Sequence, residues 1–304
     1  MANYLPLFLE WLPKQTWFDK IEIVLDHNEP TPEEVKLVKD FQKKHLGRIK
    51  HIIVDKVDPI GTSMNRCIRE SSAELLTIWN VDDLRTDDSI EQQATALLNS
   101  PDVGVVYGNY RIVRKFGSTE GKLIDHSIYS PAELTRSMII GPFFMFRKSL
   151  LEKAGMFDEQ LKQGPDYDLA VRLALWGKAA RTKKELGYYL DEGKGASTRP
   201  DSLQPIERTV IDLRYFIWDK VYPEHFEKAL TYNIHQLKFD KKWENVSKYI
   251  PDYELFATNQ QKYWQIGEQH SKRRRKENRI NKIKYALHKI KLFKVARSVW
   301  EKIE

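Results

Sequence analysis

An α/β fold with a Rossmann-like, mostly parallel sheet is what this sequence predicts, and three observations predict it. Short β-branched runs alternate with helix-patterned segments between Ile21 and Gly177, and such alternation builds parallel sheets flanked by helices. Two of the runs end in carboxylates, at Asp26 and at Asp82-Asp83, and open α/β sheets gather their ligands at the carboxyl ends of strands. The 304 residues suffice for one large α/β domain plus an extension, or for two small domains.

The elements follow in order. MANYLPLFLEWLPK is apolar on one face and is interrupted by Glu10, so it reads as an amphipathic helix; it lacks the basic start of a signal peptide. Residues 21–25 (IEIVL) are a buried strand that runs into the polar turn Asp26-His27-Asn28. Thr31-Pro32-Glu33-Glu34 opens a helix, with Thr as cap, Pro at the first helical position and acids in the first turn. Residues 50–54 form a second strand and Gly61 to Ser71 a helix. Leu75 to Val81 is a third strand, after which Thr86 caps a helix of Ile90 to Leu98. Val103 to Tyr107 is a fourth strand, Ile139 to Phe146 is strand-like around its Gly-Pro, and Ser149 to Ala154 is a short helix ended by Gly155. Asp166 to Trp176 is a helix with Gly177 at its stop. Beyond Gln204 glycine becomes rare, and 206–221 and 224–237 are expected to be helical. The domain reading is therefore 1–203 as an α/β domain and 204–304 as a helical extension.

The net charge of +7 belongs to the end of the chain. Residues 272–304 hold 13 Lys and Arg against 3 Asp and Glu, or +10, so the remainder carries 7 − 10 = −3. Within that tail Ile280, Ile283, Leu287, Ile290 and Phe293 recur at helical spacing. A helix packed on the domain and a membrane-surface helix drawn to anionic lipid both fit that pattern. No nucleic-acid motif accompanies the charge. The single Cys67 excludes an intramolecular disulfide framework and a multi-cysteine zinc site. No run is apolar for long enough to span a bilayer, so the expectation is a cytoplasmic protein, soluble or peripheral on the inner membrane surface.

Two clusters carry chemistry. Asp82 and Asp83 at a strand end either face water in a turn or hold a cation, because two unpaired buried carboxylates cost too much. Oxygen ligands of that kind suit Mg²⁺ or Mn²⁺ bridged to phosphates. Asp166 stands at a helix start, as a cap or as a general base at the edge of a site. Asp168 and Arg172, four residues apart, can pair along the same helix.

The order of these motifs resembles family 2 glycosyltransferases. Gly61-Thr-Ser-Met-Asn65-Arg66, the strand that follows, Asn80-Val81-Asp82-Asp83, Val105-Val106-Tyr107-Gly108-Asn109, Phe146-Arg147-Lys148-Ser149-Leu150-Leu151, Gly155-Met156-Phe157-Asp158-Glu159 and Pro165-Asp166-Tyr167-Asp168-Leu169 look like that family's series over roughly residues 15–200. The resemblance implies a GT-A nucleotide-diphospho-sugar transferase fold and inverting transfer of a sugar from a nucleotide-sugar donor to a hydroxyl on a glycan, lipid-linked or cell-surface acceptor. It implies that Asp82 and Asp83 hold Mn²⁺ or Mg²⁺, that Asp26, Asn65 and Asp82 contact the donor, and that Asp166 is the catalytic base. The sequence departs from the family at Asn80 and Pro165, which stand where an Asp and a Glu are usual, and the family's first strand has no counterpart before Ile21. These departures frame the alternative reading, a degenerate GT-A domain that binds a nucleotide or a partner without turnover. A nucleotidyltransferase is disfavoured, because no Gly-rich basic loop opens the chain.

Overall fold

The computed structural model describes residues 3–130, 133–134, 137–193, 201–216 and 223–259, with single positions between 262 and 283. Helix α1 (Leu5–Trp11) buries Leu5, Phe8 and Leu9, spaced three and four apart on one face. With Leu12 they pack on Leu25, Val38, Phe41, Ile49 and Val81. Strands β1 (Ile23–Asn28) and β2 (Ile49–Val54) pair in parallel, Ile23 opposite Ile49. Helix α2 (Pro32–Lys44) joins them. It opens as the sequence predicts, with a reciprocal capping box between Thr31 and Glu34. Helix α3 (Ile60–Glu70) then runs back over β1.

The second sheet is built around β5 (Val103–Val113). On one side β5 pairs with β7 (Met145–Arg147) and β7 with β3 (Leu75–Thr77), both antiparallel. On the other it runs parallel to β8 (Lys178–Leu190), which carries the two-residue β4 (Leu84–Arg85) antiparallel at its far edge. β6 (Lys122–Ile124) adds to the end of β5. The two longest ladders, β1–β2 and β5–β8, are the parallel ones. Among the described strands none bridges β1 to β3, so the sheet is divided in two. Side chains hold the halves together: α1 packs against Leu25 on one sheet and against Trp79 and Val81 beyond the other.

Four local expectations are corrected. The strand after Ser72 ends at Thr77, with Ile78 to Asp83 given over to a turn. Helix α4 (Ser89–Leu98) has no side-chain cap, and Thr86 instead donates its hydroxyl to the Glu185 carbonyl at 2.9 Å. Only Met145 to Arg147 of the 139–146 run is strand, because Gly141 takes φ +69° beside Pro142 and breaks the extension. In the extension the helix expected over 206–221 runs from Gln204 to Arg214 as α7 (Gln204–Arg214), with 217–221 outside the described residues, and the helix expected over 224–237 stops at Ala229 as α8 (Pro223–Ala229). The chain then makes a hairpin of β9 (Gln236–Phe239) and β10 (Lys242–Asn245). Leu237 and Phe239 are buried with a period of two, and Asp240-Lys241 turn with positive φ, the backbone twist a two-residue hairpin needs.

The core crosses the expected boundary at 203/204. Val210, Ile211 and Leu213 of α7 share one cluster with Leu169, Ala170 and Leu173 of α6 (Pro165–Trp176). Between them lies a fully buried ion-pair network. Asp168 accepts from Arg172 at 2.8 Å and from Arg214 at 2.6 Å, and Arg214 also reaches Asp158 at 2.9 Å. The Asp168–Arg172 pair is the one the helical spacing predicts. Ahead of α6, α5 (Leu151–Ala154) ends at Gly155 with φ +71°, where a Cβ would meet the Tyr249 ring at 2.9 Å. The basic tail 272–304 lies almost wholly outside the described residues. No helix among those described is long and apolar enough to cross a membrane.

Candidate active site

Asn80 to Asp83 form a closed turn after β3. The Asp83 N–H donates to the Asn80 carbonyl at 3.1 Å, and the Trp79 indole donates to the Asp83 carbonyl at 2.9 Å. The Asp83 side chain points inward and is 3% exposed. One carboxylate oxygen accepts the Leu190 N–H of β8 at 2.9 Å, and the Asn80 amide approaches the other at 3.5 Å. Burial, with the neighbouring Asp82 charge, pushes the Asp83 carboxyl up to about 7. Asp82 is exposed. Desolvation of its carboxylate, with the nearby Glu192 charge, also raises its proton affinity.

Beneath this turn lies Arg85, with no exposed surface. Its guanidinium donates to Ser89 and Gln93 at 2.9 Å, to Thr77 at 2.5 Å and to the Ile78 carbonyl at 2.9 Å, all neutral acceptors. Burial lowers its pKa to about 9, opposed by Asp83. The acidic turn therefore sits on a buried cation that does not touch it as an ion pair.

Asp26 stands at the carboxyl end of β1 in a network supplied largely by α3. It accepts from Asn28 at 2.5 Å and pairs with Arg66, whose other nitrogen pairs with Asp58. The Asp58 N–H donates to the Asn28 side chain at 2.7 Å, and Asn28 donates to the Ser63 hydroxyl at 3.2 Å. Asn65, one residue before Arg66, turns the other way and has no exposed surface. Its amide donates to the Phe157 carbonyl at 2.9 Å and to Glu159 at 3.0 Å, and its oxygen accepts the Phe157 N–H at 2.9 Å. The enclosed Asn65 side chain thereby pins the Gly155–Glu159 turn to α3. Cys67 is half-buried beside Val24, and burial pushes its thiol up to about 11, which leaves it unreactive at neutral pH.

Asp166 occupies the first turn of α6 and lines a cleft of about 320 Å³ whose walls come from α6 and α7, including Tyr167, Gln204 and Arg208. One of its oxygens accepts the Tyr167 N–H at 2.8 Å. Burial raises its proton affinity, and the Glu207 charge adds to the rise against the pull of the backbone N–H. Among the described residues no hydrogen bond or ion pair joins the Asp26 network, the Asp82-Asp83 turn and the Asp166 cleft.

Four participants escape the sequence reading. Arg85 and Arg66 each read as one more basic residue, and only tertiary placement shows the first buried and the second bridging two acids. The Leu190 N–H is a backbone donor with no side-chain signal. Glu207 sits in a segment that carries no motif.

Comparisons with known proteins bear on the family and the fold. The family model for Glycosyl transferase family 2 matches residues 2–155, just over half of the chain. Chondroitin synthase of Escherichia coli is 22% identical over 173 residues, which are 57% of this chain and 25% of that protein. The chain thus spans about a quarter of the length of that curated relative. The crystal structure of S. aureus TarS 1–349 in complex with UDP-GlcNAc superposes with a TM-score of 0.57 at 16% identity, covering 76% of this chain and 70% of that one. TarS 1–349 without a named ligand superposes at 0.54 and 14% identity over 90% and 88% of the two chains. At that level of identity the likeness is one of fold. The shared fold is GT-A, and with the family model covering both the Asp26 strand and the Asp82-Asp83 turn, this chain belongs to glycosyl transferase family 2.

Proposed function

We propose that this glycosyltransferase transfers a sugar with inversion from a nucleoside-diphosphate donor to an acceptor hydroxyl, and that Asp166 is its base. The observation that carries the reading is the setting of Asp166, a carboxylate of raised proton affinity in the wall of an open cleft. The acceptor hydroxyl enters this cleft and gives its proton to Asp166. Its oxygen bonds to the anomeric carbon as the bond from that carbon to the diphosphate breaks. Asp26, held by Arg66, meets the nucleoside. The TarS complexes with UDP and UDP-GlcNAc are the reason to begin with uridine donors.

Asp82 and Asp83 fit a divalent cation. Among the described residues no three metal-ligating side chains are gathered, and the two carboxylates of the turn would be the residues to hold Mg²⁺ or Mn²⁺, which take oxygen ligands. The buried Asp83 carboxyl lacks an ion-pair partner, and a cation at the turn would stabilise its ionised form. The metal, when bound, neutralises charge developing on the leaving diphosphate. The acceptor is a hydroxyl of a glycan or lipid-linked glycan, and the basic stripe of 272–304 brings the enzyme to the cytoplasmic membrane surface.

A second reading, donor binding without turnover, is favoured by the divided sheet and by Asn80. Calorimetry and nucleotide release separate the two, using UDP-GlcNAc and a panel of UDP- and GDP-sugars with Mn²⁺. Asp83→Ala is expected to abolish metal-supported binding. Asp166→Asn is expected to keep binding and to lose about 100-fold or more in turnover. Wild-type protein that binds a donor yet releases no nucleotide makes the second reading correct.

A further inference from the structure

Glu207 has no exposed surface and lies behind the cleft, on α7, whose Gln204, Pro205, Arg208 and Ile211 form the wall opposite Asp166. Its carboxylate accepts three successive backbone N–H groups: Lys162 at 2.7 Å, Gln163 at 2.7 Å and Gly164 at 2.9 Å. The Tyr232 hydroxyl completes the shell at 3.2 Å. Gly164 is the residue before α6 and offers no side-chain cap of its own. The N-terminal approach to α6, two residues ahead of Asp166, is therefore fixed by an acid 43 positions further on. Carboxylates at helix N-termini normally come from the adjoining chain; here the acid comes from the element that forms the other side of the cleft.

We infer that Glu207 is a positioning residue for the reaction: it ties the backbone carrying Asp166 to α7, and it places a second negative charge beside the base. The inference rests on Asp166 being the base. Two physical effects follow. Three backbone donors and the Tyr232 hydroxyl fill the carboxylate's lone pairs, so the Lys162–Gly164 segment is held in a single arrangement and Asp166 is presented to the cleft at a fixed angle. The Glu207 charge also opposes ionisation of Asp166, which makes that carboxylate a stronger base once ionised. The groups facing Asp166 are Tyr167 on its own helix and Glu207 and Arg208 on α7; those at Glu207 are Tyr232 and the three amides. The cleft wall beyond residue 203 is thereby part of the catalytic apparatus.

The test uses the full chain with the donor that the panel identifies and follows nucleoside diphosphate released to water. Glu207→Gln keeps the shape, removes the charge and leaves amide donors facing amide donors. Donor affinity is expected to stay within about twofold, kcat to fall about tenfold or more, and the acid limb of the kcat–pH profile to move to lower pH. A folded Glu207→Gln protein with wild-type kcat overturns the inference. So does a fall in kcat with the acid limb unmoved, which would make Glu207 a structural residue only. Should Glu207→Gln fail to fold, Tyr232→Phe carries the test. It strips one O–H donor from the same carboxylate, leaves the Glu207 charge less shielded, and is expected to move the limb to higher pH; an unmoved limb overturns the inference. Asp166→Asn run in parallel keeps the questions apart, since undiminished turnover there refutes the base itself whatever the Glu207 variants do.

Discussion

Asp83 shows how one residue's burial sets a measurable property. Its carboxyl, pushed up to about 7 by burial, binds a proton more tightly folded than unfolded. Between the unfolded carboxylate range near pH 4 and about pH 7 the native state therefore holds more protons, and stability falls as pH rises through that window. The slope approaches about 1.4 kcal/mol per pH unit at most. Asp83→Asn keeps an oxygen to accept the Leu190 N–H and carries no charge to bury. It is expected to be more stable than wild type at pH 8, on the order of 2 kcal/mol, with a shallower profile than wild type in urea titrations from pH 5 to 8. In the wild type, Mn²⁺ with donor should release a proton near neutral pH, visible as a buffer-dependent binding enthalpy. Arg85 beneath the turn was illegible for the same reason that Asp83 was legible. A pair of acids at a strand end is a pattern, whereas an arginine two residues on becomes a buried cation only when β4 and α4 close around it.

At the scale of elements, α6 and α7 are the pair that matters. The sequence pattern locates both helices, the first over Asp166 to Trp176 with Gly177 at its stop and the second within 206–221. It does not reveal that they are bolted together by Asp158, Asp168, Arg172 and Arg214, all without exposed surface. Only the Asp168–Arg172 pair is local enough to be foreseen. Removing one member of such a network strands the others in a medium that cannot solvate them. Arg214→Met is therefore expected to cost about 3–5 kcal/mol, read from chemical denaturation. Thr31→Ala, which undoes the capping box of α2, should cost only about 1 kcal/mol. The hairpin that replaces the end of the expected 224–237 helix was missed because its strands are four residues each and their alternation is masked by Lys and Trp on the outer face.

Taken whole, the molecule's largest buried cluster runs through the boundary that the sequence reading drew. The change in composition near Gln204 is real, but it marks a change of element type and not of packing: Val210 and Ile211 share their cluster with Leu169 and Ala170. A chain ending at residue 203 would bare that surface and leave Asp168 with half its counter-charge. It is expected to show no cooperative thermal transition, whereas the full chain shows one. The expectations passed over β8, the longest described strand, whereas the strands over 21–25 and 50–54, the acidic turn and the helix that carries Asp166 were legible because each is a local signal. The orientation of Asn65 into the core and the reach of Glu207 across the cleft were not, because each depends on elements far apart in sequence. The divided sheet has a consequence of its own. With no ladder between β1 and β3, the nucleoside end and the diphosphate end of the proposed donor rest on two sheets joined by the side-chain packing around α1. A molecule laid from Asp26 to Asp82 acts as a splint across that seam, and its binding free energy adds to the opening cost of both sheets at once. The substrate thereby becomes a strut of the enzyme that consumes it, and each turnover removes the piece that braced the two halves.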